Sequence, residues 1–256
     1  MSAETRAHLR GGIVAGRVDG AVRKFLGVRF AAPAIGPARF LPPREPLPWD
    51  GVFEANSFAP APQQARTVGV GLRGAARVDE DCLYLNVFAP VQALEPLPVF
   101  VWIYGGGFIH GDGADPLFDG TKIATAGRMV VVTINYRLGV WGFAPLCHRN
   151  VGVRDQIAAL SWIRDNIAAF GGNPANVTLA GESAGAMSIC NLLAAPTARG
   201  LFHRAIAQSG AADNVATRAQ ADETAAVLLE ELAVDPDEAD ATALLAAQHA
   251  VMRRLR

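Results

Sequence analysis

The chain has 256 residues, 51% of them hydrophobic and 18% charged, with a formal net charge of −1 at pH 7. This length and composition suit one large globular domain, residues 1–256, that buries about three quarters of its unfolded surface, and they exclude a disordered chain. The balanced charge gives no basis for a nucleic-acid or anionic-membrane partner.

Three cysteines, Cys82, Cys147 and Cys190, are too few for a disulfide framework or a metal cluster. The first residues, "MSAETRAHLR", are polar and charged with no apolar core, so no secretory leader is expected. The longest apolar run, "LPVFVWIYGGGFI" (97–109), holds three glycines and is too short for a membrane span. The expected setting is the cytoplasm.

In chain order, "GIVAGRV" and "AVRKFLGVRFA" alternate apolar and polar residues and predict short paired strands with a turn at Asp19-Gly20. Residues 31–77 are rich in proline, glycine and alanine and predict ordered loop, because proline interrupts both periodicities. Three nearly continuous apolar runs (83–89, 97–105 and 129–136) predict strands buried on both faces. Residues 153–172 have helical spacing, with Ile157, Leu160, Ile163 and Ile167 on one stripe and Gly171-Gly172 before Asn173-Pro174 as the stop. A strand at 177–181, a helix from about Ala184, a short strand at 204–210 and two alanine-rich helices near 218–233 and 238–254 follow. This alternation predicts an α/β domain with a mostly parallel central sheet and flanking helices.

Two motifs carry chemistry. Gly181-Glu182-Ser183-Ala184-Gly185 matches G-x-S-x-G between an apolar strand and a helix, a context that lifts a serine hydroxyl above the carboxyl edge of a sheet. The free N–H groups and dipole of the helix N-terminus point at the same place. The alternative is that Ser183 only caps the helix. Tyr104-Gly105-Gly106-Gly107-Phe108 follows another apolar strand, and its glycines leave backbone N–H groups unshielded, as in the oxyanion loop of lipases and esterases. With the N–H of Ala184 it offers three donors; a plain flexible turn is the alternative.

Other patterns are set aside. Gly69-Val70-Gly71-Leu72-Arg73-Gly74 is a literal G-x-G-x-x-G without a leading strand or a following helix. The sequon at Asn176 opens a predicted buried strand. Asp112, Asp115 and Asp119 lack the spacing of a calcium loop and read as turn residues, and Trp102, Trp141 and Trp162 read as core.

With these motifs, the segments "VRKFLGVRFAAP", "ARFLPP", "EDCLYLNV", "VWIYGGGFIHG", "VVVTINYRLGVWGF", "GVRDQIAALSWIRDNIAAFGGNPANVTLAGESAGA" and "LFHRAIAQSG" give the chain a resemblance to the type B carboxylesterases. These form the branch of the α/β-hydrolases that includes the cholinesterases. The resemblance implies the N-terminal portion of an α/β-hydrolase fold, cut short at its C-terminus. It implies Ser183 as the acylated nucleophile, Gly106, Gly107 and Ala184 as oxyanion donors, a small carboxylic ester as substrate, and no cofactor or metal. Secreted members pair the cysteine of "EDCLYLNV" with an upstream one that is absent here, so Cys82 is expected as a free thiol.

The triad order in this fold is serine, acid, histidine, with both partners far downstream. Only 73 residues follow Ser183, so the acid and base are expected to lie outside the chain and to come from a complementing C-terminal half. Among residues present, His203 reads as scaffold and His249 as a helix histidine. Asp213, Asp222 and Glu223 read as turn or surface carboxylates, Glu182 as a buried structural carboxylate, and His110 as a residue lining the gorge. The competing expectation is a catalytically inactive binding module, since the family includes adhesion proteins.

Overall fold

A computed structural model describes residues 4–65, 77–93, 95–213 and 215–255. The G-x-G-x-x-G stretch lies outside the described residues. Strands β1 (Glu4–Leu9), β2 (Gly12–Asp19) and β3 (Val22–Arg29) are linked by the two-residue turns Arg10-Gly11 and Gly20-Ala21, which force antiparallel pairing. Gly20 sits at φ 59, as the first central position of a primed hairpin turn requires. β1 was not legible in "ETRAHL": it buries only Ala7 and is held by its ladder to β2. The proline-rich loop that follows contributes β4 (Val52–Glu54), beside β2.

The strands β5 (Tyr84–Pro90) and β7 (Val130–Ile134) continue the antiparallel series from β3. From β7 the sheet turns parallel through β6 (Leu97–Ile103), β8 (Gly172–Glu182) and β9 (Arg204–Gln208). The nine-stranded sheet thus runs β1-β2-β3-β5-β7-β6-β8-β9 with β4 off the path. The expected parallel pairing is this C-terminal run, where helical crossovers return each strand in the same direction; the hairpins make the whole sheet mixed.

Helix α1 (Thr121–Gly127) links β6 to β7, α2 (Gly139–Phe143) and α3 (Val151–Asn166) link β7 to β8, and α4 (Ala184–Ala194) links β8 to β9. Leu160, Ile163 and Ile167 of the predicted stripe are fully buried, with Ile157 half-buried against the same core. They pack with Ile189 and Leu192 of α4 and with Val99, Val101 and Leu179 of the sheet. Every residue of β7 is buried, as expected, but β6 alternates, leaving Pro98 exposed and Phe100 and Trp102 half-buried. Phe100 sits with the smaller cluster that contains Ala124 of the seven-residue α1, too little helix to seal it. The last strand of the path, β9, is exposed at all five residues.

Helices α5 (Arg218–Leu232) and α6 (Ala241–Arg254) close the chain. Thr217 and Gln220 form a capping box on α5, and Asp240 caps α6. Their Leu228, Leu232, Leu244 and Val251 build a second core with Val140 and Trp141 of α2. No helix among the described residues is long and apolar enough to cross a membrane. Cys82 is a buried free thiol, as expected from the missing upstream cysteine.

A buried ion pair ties the crossover to the proline-rich loop. Arg137 donates to both carboxylate oxygens of Asp155 at 2.8 and 2.6 Å, and to the carbonyls of Arg39 and Leu41, each at 2.9 Å. The backbone N–H of Arg137 adds a 3.0 Å bond to the same carboxylate. Burial pushes the Asp155 carboxyl up, against the pull of the guanidinium. Removing one partner of such a pair strands a buried charge, at about 3–5 kcal/mol. Arg137→Ala should therefore lower the urea midpoint by that equivalent, while the surface-pair variant Arg164→Ala shifts it by less than about 1 kcal/mol.

Candidate active site

The site lies where the parallel strands end. Register aligns Gly181 of β8 with Ile103 of β6 and Glu182 with Gln208 of β9, so the corner at Ser183 stands at the carboxyl ends of three strands. Ser183 adopts φ 52 and ψ −121, a conformation costing roughly 1–3 kcal/mol for a residue with a side chain. Neighbouring bonds hold it there. Its N–H donates to the Gln208 carbonyl at 2.8 Å, and its carbonyl accepts from Met187 N–H at 3.0 Å inside α4. Its side chain makes no capping bond, which removes the helix-cap reading.

Close approach of two backbones explains the small residues. A Cβ on Gly185 would lie 2.0 Å from the Ile103 carbonyl oxygen, so the first turn of α4 packs directly on the end of β6. A Cβ on Gly105 would lie 3.0 Å from the Cβ of Ser183 and 2.7 Å from the Glu182 carbonyl oxygen. The glycine loop therefore begins in contact with the serine corner. Gly106 and Gly107 follow, exposed, at φ 112 and 61. Their N–H groups, and that of Ala184 at the first position of α4, have no hydrogen-bond partner among the described residues. Such bare amides, with the positive end of the helix dipole, favour a developing negative oxygen.

The loop is anchored at its entrance. Tyr104 and Tyr136, at the ends of β6 and β7, stack at 4.6 Å. Each phenol donates to the carbonyl of the other, Tyr136 to Tyr104 at 3.0 Å and Tyr104 to Tyr136 at 3.3 Å. Burial pushes both phenols well above their ordinary range, so both remain donors. At the apex, the Phe108 carbonyl accepts from Gly139 N–H at 2.7 Å. Beside Gly107, Phe108 and Ile109 lies an open apolar cavity of about 250 Å³, lined also by residues of α2, α5 and α6, among them Val140, Leu228 and Val251.

The other sequence candidates separate. His203 is scaffold: its Nδ1 accepts from the Val177 N–H at 3.2 Å, six residues before Ser183 and about 20 Å away along an extended strand. His249 is exposed on α6. Asp213, Asp222 and Glu223 are exposed, and Asp222 pairs with Arg149. Asp115 and Asp119 cap the turns that follow the glycine loop, and Asp112 is buried and bonds Ala114 N–H. Glu182 corrects an expectation: it is exposed, because nothing among the described residues covers the end of β8 on its side. No imidazole hydrogen-bonds Ser183 among the described residues, and none of their His, Cys, Asp and Glu residues cluster to hold a metal.

Two measurements check this geometry. Gly185→Ala should cost more than the typical 1–3 kcal/mol of overpacking, since backbone must move, whereas Gly20→Ala, in open space, should cost only about the 1–2 kcal/mol of its positive φ. Urea denaturation reads both. His110 supplies the second: burial pushes its imidazole below the ordinary value of 6.5, with His249 adding to the effect. The unfolded chain then takes up the proton first. Stability should hold above about pH 6.5 and fall as pH drops below it, and His110→Gln should flatten that part of the profile.

Comparison with known proteins agrees with the fold. The Carboxylesterase family model matches residues 3–252. A para-nitrobenzyl esterase of Bacillus subtilis (strain 168) is 45% identical over 236 residues, 90% of this chain and 48% of the relative. A medium-chain fatty acyl-CoA hydrolase precursor of Anas platyrhynchos is 44% identical over 219 residues, 80% of this chain and 39% of the relative. The solved structure of a thermophilic pNB esterase superposes with a TM-score of 0.95 at 41% identity, covering 99% of this chain and 55% of that one. The chain thus spans about half the length of these relatives, and its fold is the N-terminal part of an α/β-hydrolase. It belongs to the carboxylesterase family.

Proposed function

We propose that the chain is the nucleophile-bearing part of a carboxylic ester hydrolase that works through a serine acyl-enzyme. The observation that carries this reading is the left-handed backbone of Ser183 in contact with a glycine loop whose amides are unpaired. In the reaction, Ser183 Oγ attacks the ester carbonyl. The N–H groups of Gly106, Gly107 and Ala184 hold the oxyanion as the C–O bond breaks, and the proton of the serine leaves with the alcohol. Water then attacks the acyl-serine and releases the acid, returning the proton to Ser183.

A base must take the serine proton, and no described imidazole bonds Ser183. We assign base and acid to a C-terminal half of the length by which the relatives exceed this chain, supplied by continuation or in trans. The exposed β9 is where its sheet would join. The apolar cavity beside the glycine loop favours an uncharged or weakly polar ester, in keeping with a relative named a para-nitrobenzyl esterase.

An alkyl fluorophosphonate, followed by mass spectrometry of the Ser183 peptide, tests the reading. The expected result is slow labelling at Ser183, lost in Ser183→Ala and faster by orders of magnitude when a family C-terminal half carrying the acid and histidine is added. Removing the base of a serine hydrolase costs around 10⁶ in turnover, which sets the scale of that gain. No labelling at Ser183 with or without the added half would instead favour a non-catalytic binding module.

A further inference from the structure

We propose that Gln64 is a positioning residue for the oxyanion hole, acting through the peptide of Gly111 to set the direction of the Gly107 N–H; this rests on the esterase reading above. Gln64 is buried, at 3% exposure, in the proline-rich loop. Its amide pairs with the Gly111 peptide on both sides. Gly111 N–H donates to Oε1 at 3.0 Å, and Nε2 donates to the Gly111 carbonyl at 2.7 Å. A second Nε2 bond, to the Pro62 carbonyl at 3.0 Å, satisfies the remaining proton. The loop itself is tied to the end of β7, where Asn135 Nδ2 donates to the Pro60 carbonyl at 3.1 Å and its Oδ1 accepts from Gly113 N–H at 2.9 Å.

The link from Gly111 to the oxyanion amides is covalent and short. Ile109 and His110 both donate their N–H to the Gly106 carbonyl, at 3.1 and 3.0 Å, so residues 106–110 fold into one tight turn. Gly106 packs so closely on the end of that turn that a Cβ there would lie 2.3 Å from the His110 carbonyl oxygen. The Gly106 carbonyl and the Gly107 N–H belong to the same planar trans peptide and point in opposite directions. Fixing the carbonyl inward therefore aims the N–H outward. The two donors that fix it sit one and two residues before Gly111. On one side Gly111 packs directly on the Tyr104 ring, so closely that an added Cβ would lie 2.2 Å from it. Gln64 holds it from the other side. Position 64 thus clamps the exit of the turn as the tyrosine pair clamps its entrance.

The test compares the parent chain with Gln64→Ala and Gln64→Glu in two readouts: hydrogen exchange by mass spectrometry, and the rate of Ser183 phosphonylation as a function of fluorophosphonate concentration. Gln64→Ala should speed exchange in 105–111 with β5 and β7 unchanged. It should lower the limiting labelling rate about 10- to 100-fold at an unchanged half-saturating concentration, below the 10²–10³ of a donor lost outright. Gln64→Glu keeps the acceptor and loses the donor. Buried beside the carbonyls of Pro62 and Gly111, its carboxyl is held above the ordinary glutamate range, so its rate relative to the parent should recover as pH falls from 8 to about 5 and the carboxyl gains its proton. Exchange that rises throughout the sheet, or a Gln64→Ala labelling rate within about 2-fold of the parent, would overturn the inference. A parent chain that takes no label at Ser183 with or without the added C-terminal half would overturn the esterase reading itself, and this inference with it.

Discussion

The approach of α4 to the end of β6 is the constraint on which the rest depends. Two backbones meet there at a distance that no side chain permits, with the Gly185 Cα against the Ile103 carbonyl. The contact lets the strand β8 turn into a helix without leaving the sheet. The same turn forces Ser183 across to positive φ, and hydrogen bonds to Gln208 and Met187 on either side hold the strain. Because β6 ends in the same place, the glycine loop that leaves it starts beside the serine. Position and strain therefore have one cause, a strand pair that finishes in register with small residues at the tips.

Around that corner the scaffold uses polar groups where they are fully paired. Arg137 places its guanidinium on Asp155 and on two loop carbonyls, joining α3, the end of β7 and the proline-rich loop. Glu80 accepts from Arg39 and from the Trp141 indole, and Arg39 reaches the carbonyls of Pro236 and Ala239 before α6. The loop over residues 31–65 is thus ordered by side chains as well as by the short ladder of β4 to β2, and the C-terminal helices are tied to it. Such networks are costly to leave half made, so each fixes a single arrangement of the segments it joins.

Much of this was legible in the sequence, and the remainder has physical reasons. β7 and β8 follow from apolar runs and α3 from its apolar stripe, because burial sets both, and the closing helices follow from alanine-rich composition. The serine corner and glycine loop follow from small residues at fixed spacing, whose steric cause is local. β1 was missed because an edge strand buries little and leaves no pattern. β6 was expected to be buried on both faces, but a continuous apolar run does not say how much helix will cover it. Glu182 was expected as a buried structural carboxylate beside the nucleophile and is open. Gln64 gave no signal, since its role depends on Gly111, 47 residues away, and only the folded loop brings the two amides together.

The sheet stops at β9, whose residues are exposed on both faces, while relatives of twice the length share the rest of the architecture. The central claim concerns the part that is present: an alcohol held opposite unpaired amides. A crystal structure of the phosphonylated Ser183 adduct tests it most directly. The account predicts the phosphonyl oxygen at about 2.7–3.1 Å from the backbone nitrogens of Gly106, Gly107 and Ala184. A phosphonyl oxygen directed to solvent, with those three nitrogens beyond hydrogen-bond reach, would contradict it.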